Sequence, residues 1–176
     1  DTFPYSADIE GNAGFNTGGA SLLRVAYSFL QMGYVSLQGG NGGSSADYDS
    51  YGHGGDGGAA LLYLHKVFNA IEGEDLISGF VSIVGGDGGD AYYYYEGISG
   101  GPGVFHSGGD GGYAFFWATY ILPRADISSW VSLVGGDGGF TVHQSEYVGE
   151  GGEAYFYSHV ASISVGSYLS VVGGTG

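Results

Sequence analysis

The 176-residue chain is long enough for one ordinary domain with its own core, and its 43% apolar content separates it from typical disordered chains. A formal net charge of −15, from 18 Asp and Glu against 3 Lys and Arg, removes the cationic groups that nucleic-acid or anionic-membrane binding requires. Glycine reaches 39 residues with no Gly-X-Y period and only 3 Pro, which excludes collagen; the absence of Cys excludes disulfide frameworks and thiolate chemistry.

The opening DTFPYSADIEG has neither a basic nor an apolar leader region. Asp1 fits either a mature N-terminus left by signal-peptide removal or an arbitrary boundary, and both stay open. Residues 1–15 lie outside the repeat that follows and read as an N-terminal arm. That arm is either an extra strand or a segment that complements another copy by strand addition. No apolar stretch approaches the ~20 residues needed to span a bilayer.

Residues 16–176 form a glycine-rich repeat domain. A leading cluster opens each unit: Gly18-Gly19, GGDGG at 54–58, GGDGG at 108–112 and GEGG at 149–152. A trailing cluster closes it: GGNGG at 39–43, GGDGG at 85–89, GGDGG at 135–139 and GGTG at 173–176. Between them run apolar arms at 20–38, 59–84, 113–134 and 153–172.

Each arm has an aromatic and β-branched first half, a turn signal (QMG, NAIEGED, PRAD, VG), and a second half alternating with period two. This pattern predicts an all-β fold of about four β-hairpin units linked by GGxGG segments. The stretch 21–33 also has helical length, but its alignment with strand-like arms elsewhere favours strand. In the second halves, Val35 and Leu37, Val81 and Ile83, Val131 and Leu133, and Leu169 and Val171 form one aliphatic face, assigned to the core. The opposite face, with Trp130, Ser132 and Val134 in the third unit, is mixed and suits packing against a neighbouring unit. The linkers at 44–53, 90–107 and 140–148 are polar, aromatic and of unequal length.

Glycine lets two backbones approach closely. Glycine-dominated runs also form left-handed extended helices of the polyproline II kind with three residues per turn. Eight short runs suit a bundle of such helices.

The pattern GGDGG, aromatic strand, turn, VSLVGGDGG resembles the glycine-rich extracellular domains of anaplastic lymphoma kinase-type receptors. It also resembles repeats in phage tail-fibre tips and in secreted bacterial glycine-rich proteins. The resemblance covers 18–43, 54–89, 108–139 and 149–176. It implies a backbone architecture and an extracellular setting. It does not imply signalling, because the chain has no Cys and no kinase or membrane segment.

The acids inside or beside the glycine runs, Asp56, Asp87, Asp90, Asp110 and Asp137, are the candidate calcium ligands. GGDGGDAYY at 85–93 fits a repeat-in-toxin string, but other units place Ser44, Ala59, Tyr113, Phe140 or Glu153 where Asp90 stands. Hard cations need several oxygens together. The acids therefore bind calcium only if runs lie side by side, and otherwise serve as solvated or backbone-bonding turn residues. Tyr92, Tyr93, Tyr94 and Tyr95, with Trp130, are candidate interface or carbohydrate-stacking residues. The five His are scattered and define no site, no phosphate loop is present, and no catalytic arrangement stands out. With 5 Thr and no recurrent Thr position, an ice-binding face is disfavoured.

The resulting expectation is a non-enzymatic, extracellular structural protein at the cell surface or secreted, which self-associates into a layer, fibre or filament. The alternative is a monomeric adhesin or receptor-type module that binds sugar or protein, with or without calcium.

Overall fold

A computed structural model describes residues 5–11, 17–47, 53–69, 73–93, 107–122, 124–141, 148–159 and 162–176. The strands in chain order are β1 (Tyr5–Glu10), β2 (Ser21–Leu30), β3 (Met32–Gln38), β4 (Ser45–Asp47), β5 (Ala60–Asn69), β6 (Val81–Val84) and β7 (Ala91–Tyr93). They continue with β8 (Ala114–Thr119), β9 (Ala125–Ile127), β10 (Val131–Val134), β11 (Ala154–His159), β12 (Ile163–Val165) and β13 (Leu169–Val172). No helix occurs among the described residues. The 21–33 stretch is strand on both sides of Gln31, not helix, as its alignment with the other arms predicts.

The pairing corrects the hairpin expectation. The two halves of an arm do not pair with each other. First halves pair in parallel from unit to unit, in the order β11-β8-β5-β2. Second halves form a separate parallel sheet, β1-β3-β6-β10-β13. Small two-stranded parallel sheets, β12-β9 and β4-β7, extend the same stacking. Each arm is thus an arch that crosses from one layer to the other, and each unit adds one strand to both layers. The registers Val35↔Val81, Val131↔Val81 and Val131↔Leu169 keep equivalent residues side by side.

Segment Tyr5–Glu10 pairs in parallel with β3 of its own chain, as an edge strand. It therefore occupies the sheet within the molecule instead of reaching out as an arm.

The glycine runs prolong both layers. Backbone hydrogen bonds repeat along them every third residue. Gly54 and Gly57 donate sideways to Ser107 and Asp110, while Gly55 and Gly58 donate across to Gly43 and Gly40 of the other layer. Across the whole stack one chain of bonds alternates layers, from Gly40 N to Gly19 O, Gly58 to Gly40, Gly86 to Gly58, Gly112 to Gly86, Gly136 to Gly112, Gly152 to Gly136 and Gly174 to Gly152, each 2.7–2.9 Å. A Cβ on Gly85 would lie 2.0 Å from the carbonyl oxygen of Gly112 in the facing layer, so only glycine lets the layers meet.

Beyond the glycines the layers part and side chains fill the gap. Val35, Leu37, Val81, Ile83, Val131 and Leu133 face Leu62, Leu64 and Phe116, all essentially inaccessible. The fourth pair departs from the expectation. Leu169 and Val171 are 47% and 43% exposed, because among the described strands β13 has a neighbour on one side only.

One rung of the first-half sheet is irregular. Tyr27, Lys66 and Tyr120 have φ of 53°, 49° and 54°, the left-handed region. The registers Ala26↔His65 and His65↔Thr119 place the three on one rung. Each reverses the inward alternation, so burial passes from Leu64 to Val67 and from Ala118 to Ile121. The strain, about 1–2 kcal/mol per residue, is partly offset by side-chain contacts. The Lys66 Nζ sits 4.9 Å from the Tyr27 ring centre, and His65 packs edge-on between Tyr27 and Tyr120.

Candidate functional site

Three surface features follow from this architecture. The first is a pair of polar ladders on the outer sides of the glycine layers. With hydrogen bonds taking two of every three residues, the third points outward, and that position holds the acids. In the trailing layer, Asn41 Oδ1 accepts the Asp87 N–H (3.0 Å), Asp87 Oδ1 accepts the Asp137 N–H (3.0 Å), and Asp137 Oδ1 accepts the Thr175 N–H (2.7 Å). In the leading layer, Asp56 Oδ1 accepts the Asp110 N–H (3.0 Å) and Asp110 Oδ1 accepts the Glu150 N–H (2.9 Å). Each side chain thereby satisfies the one backbone donor per turn that neither layer bonds.

Asp137 also accepts the Thr175 hydroxyl at 2.9 Å. The Thr175 N–H, then its hydroxyl, hold the Asp137 carboxyl below the ordinary carboxylate value. Asp90 belongs to the outward row one turn on. Its Oδ1 accepts the Phe140 N–H (2.9 Å) and its Oδ2 accepts the Tyr92 hydroxyl (2.8 Å), an acceptor that raises the Tyr92 pKa. A similar bond to Glu153 raises Tyr155.

The five candidate calcium ligands are therefore divided between two faces: Asp56 and Asp110 on one layer, Asp87, Asp90 and Asp137 on the other. Among the described residues no group of three or more acidic or His side chains converges with metal-ligand geometry. The acids do have a role without a cation, and Asn41, uncharged, performs the same one.

The second feature is an aromatic ladder outside the five-stranded sheet. Tyr34 stacks on Phe80 (5.2 Å), Phe80 on Trp130 (4.7 Å), and Trp130 on Tyr168 (5.9 Å), with ring planes within 16° of parallel. Both faces of the Trp130 indole are covered by neighbours, so this residue offers its edge, not a stacking platform, to solvent. Tyr168, at the end of the ladder, has one face without a described ring. The repeated aromatic before each VSL-type strand was the sequence signal for this ladder.

The third feature is the outer face of the four-stranded sheet. Tyr63, Trp117 and Tyr157 form one aromatic row, and Phe115 and Tyr155 flank it. Leu22, Tyr27, Phe29 and Leu122 are more than half exposed nearby. The four strands contain no Asp or Glu and carry Arg24 and Lys66, two of the three Lys and Arg in the chain. Arg24 lies 5.3 Å above the Tyr63 ring. A groove of about 400 Å³ runs between Leu22, Arg24, Leu61, Leu62, Tyr63 and Phe115. The Trp117 indole N–H is shielded yet has no hydrogen-bond partner among the described residues. No sequence reading singled out this face, because its residues belong to the half-arms first assigned to hairpins.

Of the tyrosine cluster, Tyr92 is exposed and bonded to Asp90, and Tyr93 closes β7 opposite Asp47. Tyr94 and Tyr95 lie outside the described residues. His53 faces Ser107 across its bridge, Nδ1 to Oγ 2.8 Å. Among the described residues no helix is long and apolar enough to cross a membrane.

No family model matches the chain, and no curated protein matches its sequence. Among solved structures, a springtail antifreeze protein from Granisotoma rainieri, described as a nine polyproline type II helical bundle whose crystal waters match the ice lattice, is similar at 18% identity. The alignment covers 89% of this chain and 94% of that chain, with a TM-score of 0.35. A superposition so loose carries no argument about function.

Proposed function

We propose that the chain is a non-catalytic, extracellular structural protein whose copies associate into a surface layer or fibre. In this reading the glycine runs are left-handed polyproline II-type helices, supported by their three-residue hydrogen-bond period. The observation that carries the reading is the outer face of the four-stranded sheet. It is an acid-free aromatic surface on a chain of net charge −15. Contiguous apolar surface of this kind marks an interaction site. The unpartnered Trp117 N–H supports the same view. Charge of one sign elsewhere keeps copies apart until salt screens it.

The test is sedimentation and electron microscopy of the full chain in low and high salt. Assembly should grow with salt and protein concentration, and Phe29→Glu, at a side chain 73% exposed on this face, should suppress it without changing the circular dichroism spectrum. A strict monomer throughout refutes the reading.

A second reading, a monomeric module binding sugar or protein, is favoured by one observation. The roots of the three linkers gather at one end of the stack, where Ser45 pairs with Ala91, Ala91 bridges to Thr141, and His53 bridges to Ser107. Loops of variable length on a rigid framework are a common binding arrangement. Retention on a glycan array by a protein that sediments as a monomer would favour it.

A further inference from the structure

We propose that the fourth-unit end of the stack is a self-complementary interface, where two copies join edge to edge about a two-fold axis. This rests on the self-association reading and names a surface for it. Among the described residues, three strands of the fourth unit, β11, β12 and β13, each have one hydrogen-bonded neighbour and one open edge. Equivalent residues predict which donors are open. Val35 N–H donates to Phe80, Val81 to Trp130 and Val131 to Tyr168, always toward the next unit. By the same alternation the N–H groups of Leu169 and Val171 point away from β10, into the open edge.

The side chains at this edge are core residues without a cover. Leu169 and Val171 stand at the positions where Val131 and Leu133 are fully buried, yet are 47% and 43% exposed. Phe156, Ile163 and Val165 are only partly buried against the core. An apolar edge strand with free donors is a template for pairing.

Charge selects the occupant. Residues 154–176 contain no Asp, Glu, Lys or Arg. Two copies, each of net charge −15, can meet here without bringing acids together. The opposite end of the five-stranded sheet is closed by β1, whose sequence carries Asp8 and Glu10. Charged residues on an edge strand discourage pairing, so like ends join rather than head to tail. A two-fold axis normal to both layers sets β13 antiparallel to its copy and likewise β11, which makes each layer continuous through the dimer. Such a contact is closed and self-complementary. Together with the aromatic face it supplies the second contact that a propagating assembly needs.

The test uses the full chain over a concentration series in high salt, with sedimentation for size and hydrogen exchange by nuclear magnetic resonance for the amides. The expected result is a dimer in which the Leu169 and Val171 amides slow with concentration, and whose dissociation constant rises roughly tenfold or more in Leu169→Lys. Val172→Lys, at an outward side chain 51% exposed on the same strand, is the second variant should Leu169→Lys fail to fold. If assembly persists unchanged in the variants while both amides exchange freely, this interface is wrong and the self-association reading survives. If the parent chain stays monomeric, both fall.

Discussion

Replacing Gly85 by alanine tests whether direct backbone contact between the glycine layers holds the molecule together. The added Cβ would stand 2.0 Å from the carbonyl oxygen of Gly112 in the facing layer and 2.6 Å from its carbon, both backbone atoms that cannot rotate aside. Ordinary contact is roughly 1.4 Å longer, so the layers must separate locally. Separation breaks the Gly112 N–H bond to Gly86 (2.7 Å) and the Gly136 N–H bond to Gly112 (2.9 Å). Two net bonds at about 1 kcal/mol each, with about 1–3 kcal/mol for overpacking, predict a loss of about 3–5 kcal/mol. A domain has only about 5–15 kcal/mol in all. With a urea slope of about 2 kcal/mol per molar, the unfolding midpoint should fall by about 1.5–2.5 M. The matched control is Gly173→Ala, whose Cβ would meet nothing closer than 3.6 Å and which should be neutral or slightly stabilising. Equal midpoints for the two variants would refute the reasoning.

Removing a rung from inside the aromatic ladder should cost more than removing its end. Trp130→Ala should lose about 3–5 kcal/mol in denaturant titrations and Tyr168→Ala clearly less, because Trp130 has a ring on each face and Tyr168 on one. Asp137 has a lowered pKa in the folded state, so its contribution is present above the unfolded carboxylate pKa and is lost as pH falls through the folded one. Melting temperature should accordingly drop on acidification below about pH 4. Asp137→Asn should flatten that drop while folding normally, as Asn41 accepts the equivalent bond, whereas Asp137→Ala should destabilise at every pH. At the left-handed Lys66, substitution by Asn should be tolerated and substitution by Val should destabilise by more than about 1 kcal/mol, read from melting curves.

The features that were legible in the sequence are those set by local chemistry. Period two in WVSLV, with Val131 and Leu133 on one side, identified both the strand and its buried face. The glycine runs signalled close backbone approach, and the backbone-bonding alternative for their acids matches the bonds that Asp87 and Asp137 accept. Pairing partners were not legible. PRAD and NAIEGED satisfy a hairpin turn and an arch equally well, and the choice depends on a strand one unit away, at Val81 for Val131. Leu169 and Val171 have the side chains of core residues, so no pattern distinguishes them from Val131 and Leu133; only the missing neighbour does. The left-handed rung was silent because Tyr and Lys stand where glycine or asparagine would have announced it. The aromatic face escaped for a related reason, since a side chain's face is defined only once the sheet it belongs to is known.

The arch also explains how glycine runs and strands coexist in one chain without a break. Sideways bonding between units continues from strand to glycine run: Val35 N–H to Phe80, Gly39 to Val84, Gly42 to Asp87, Ser45 to Asp90. What changes along the path is the distance between layers. In the glycine region the layers share hydrogen bonds directly; farther along, the separation grows toward the ~10 Å of packed sheets and Leu62, Phe116 and Ile83 fill it. The junction between these regimes fixes the register of every unit. Neither the turn within an arm nor the linker between units has to do so. Arms of different length, such as 20–38 and 59–84, can then share one scaffold, and the linkers are free to differ in length and composition. Variation is therefore least costly in the linkers and most costly in the glycine bundle and the buried side chains that adjoin it, which is the distribution expected if surfaces carry the function and the interior carries the fold.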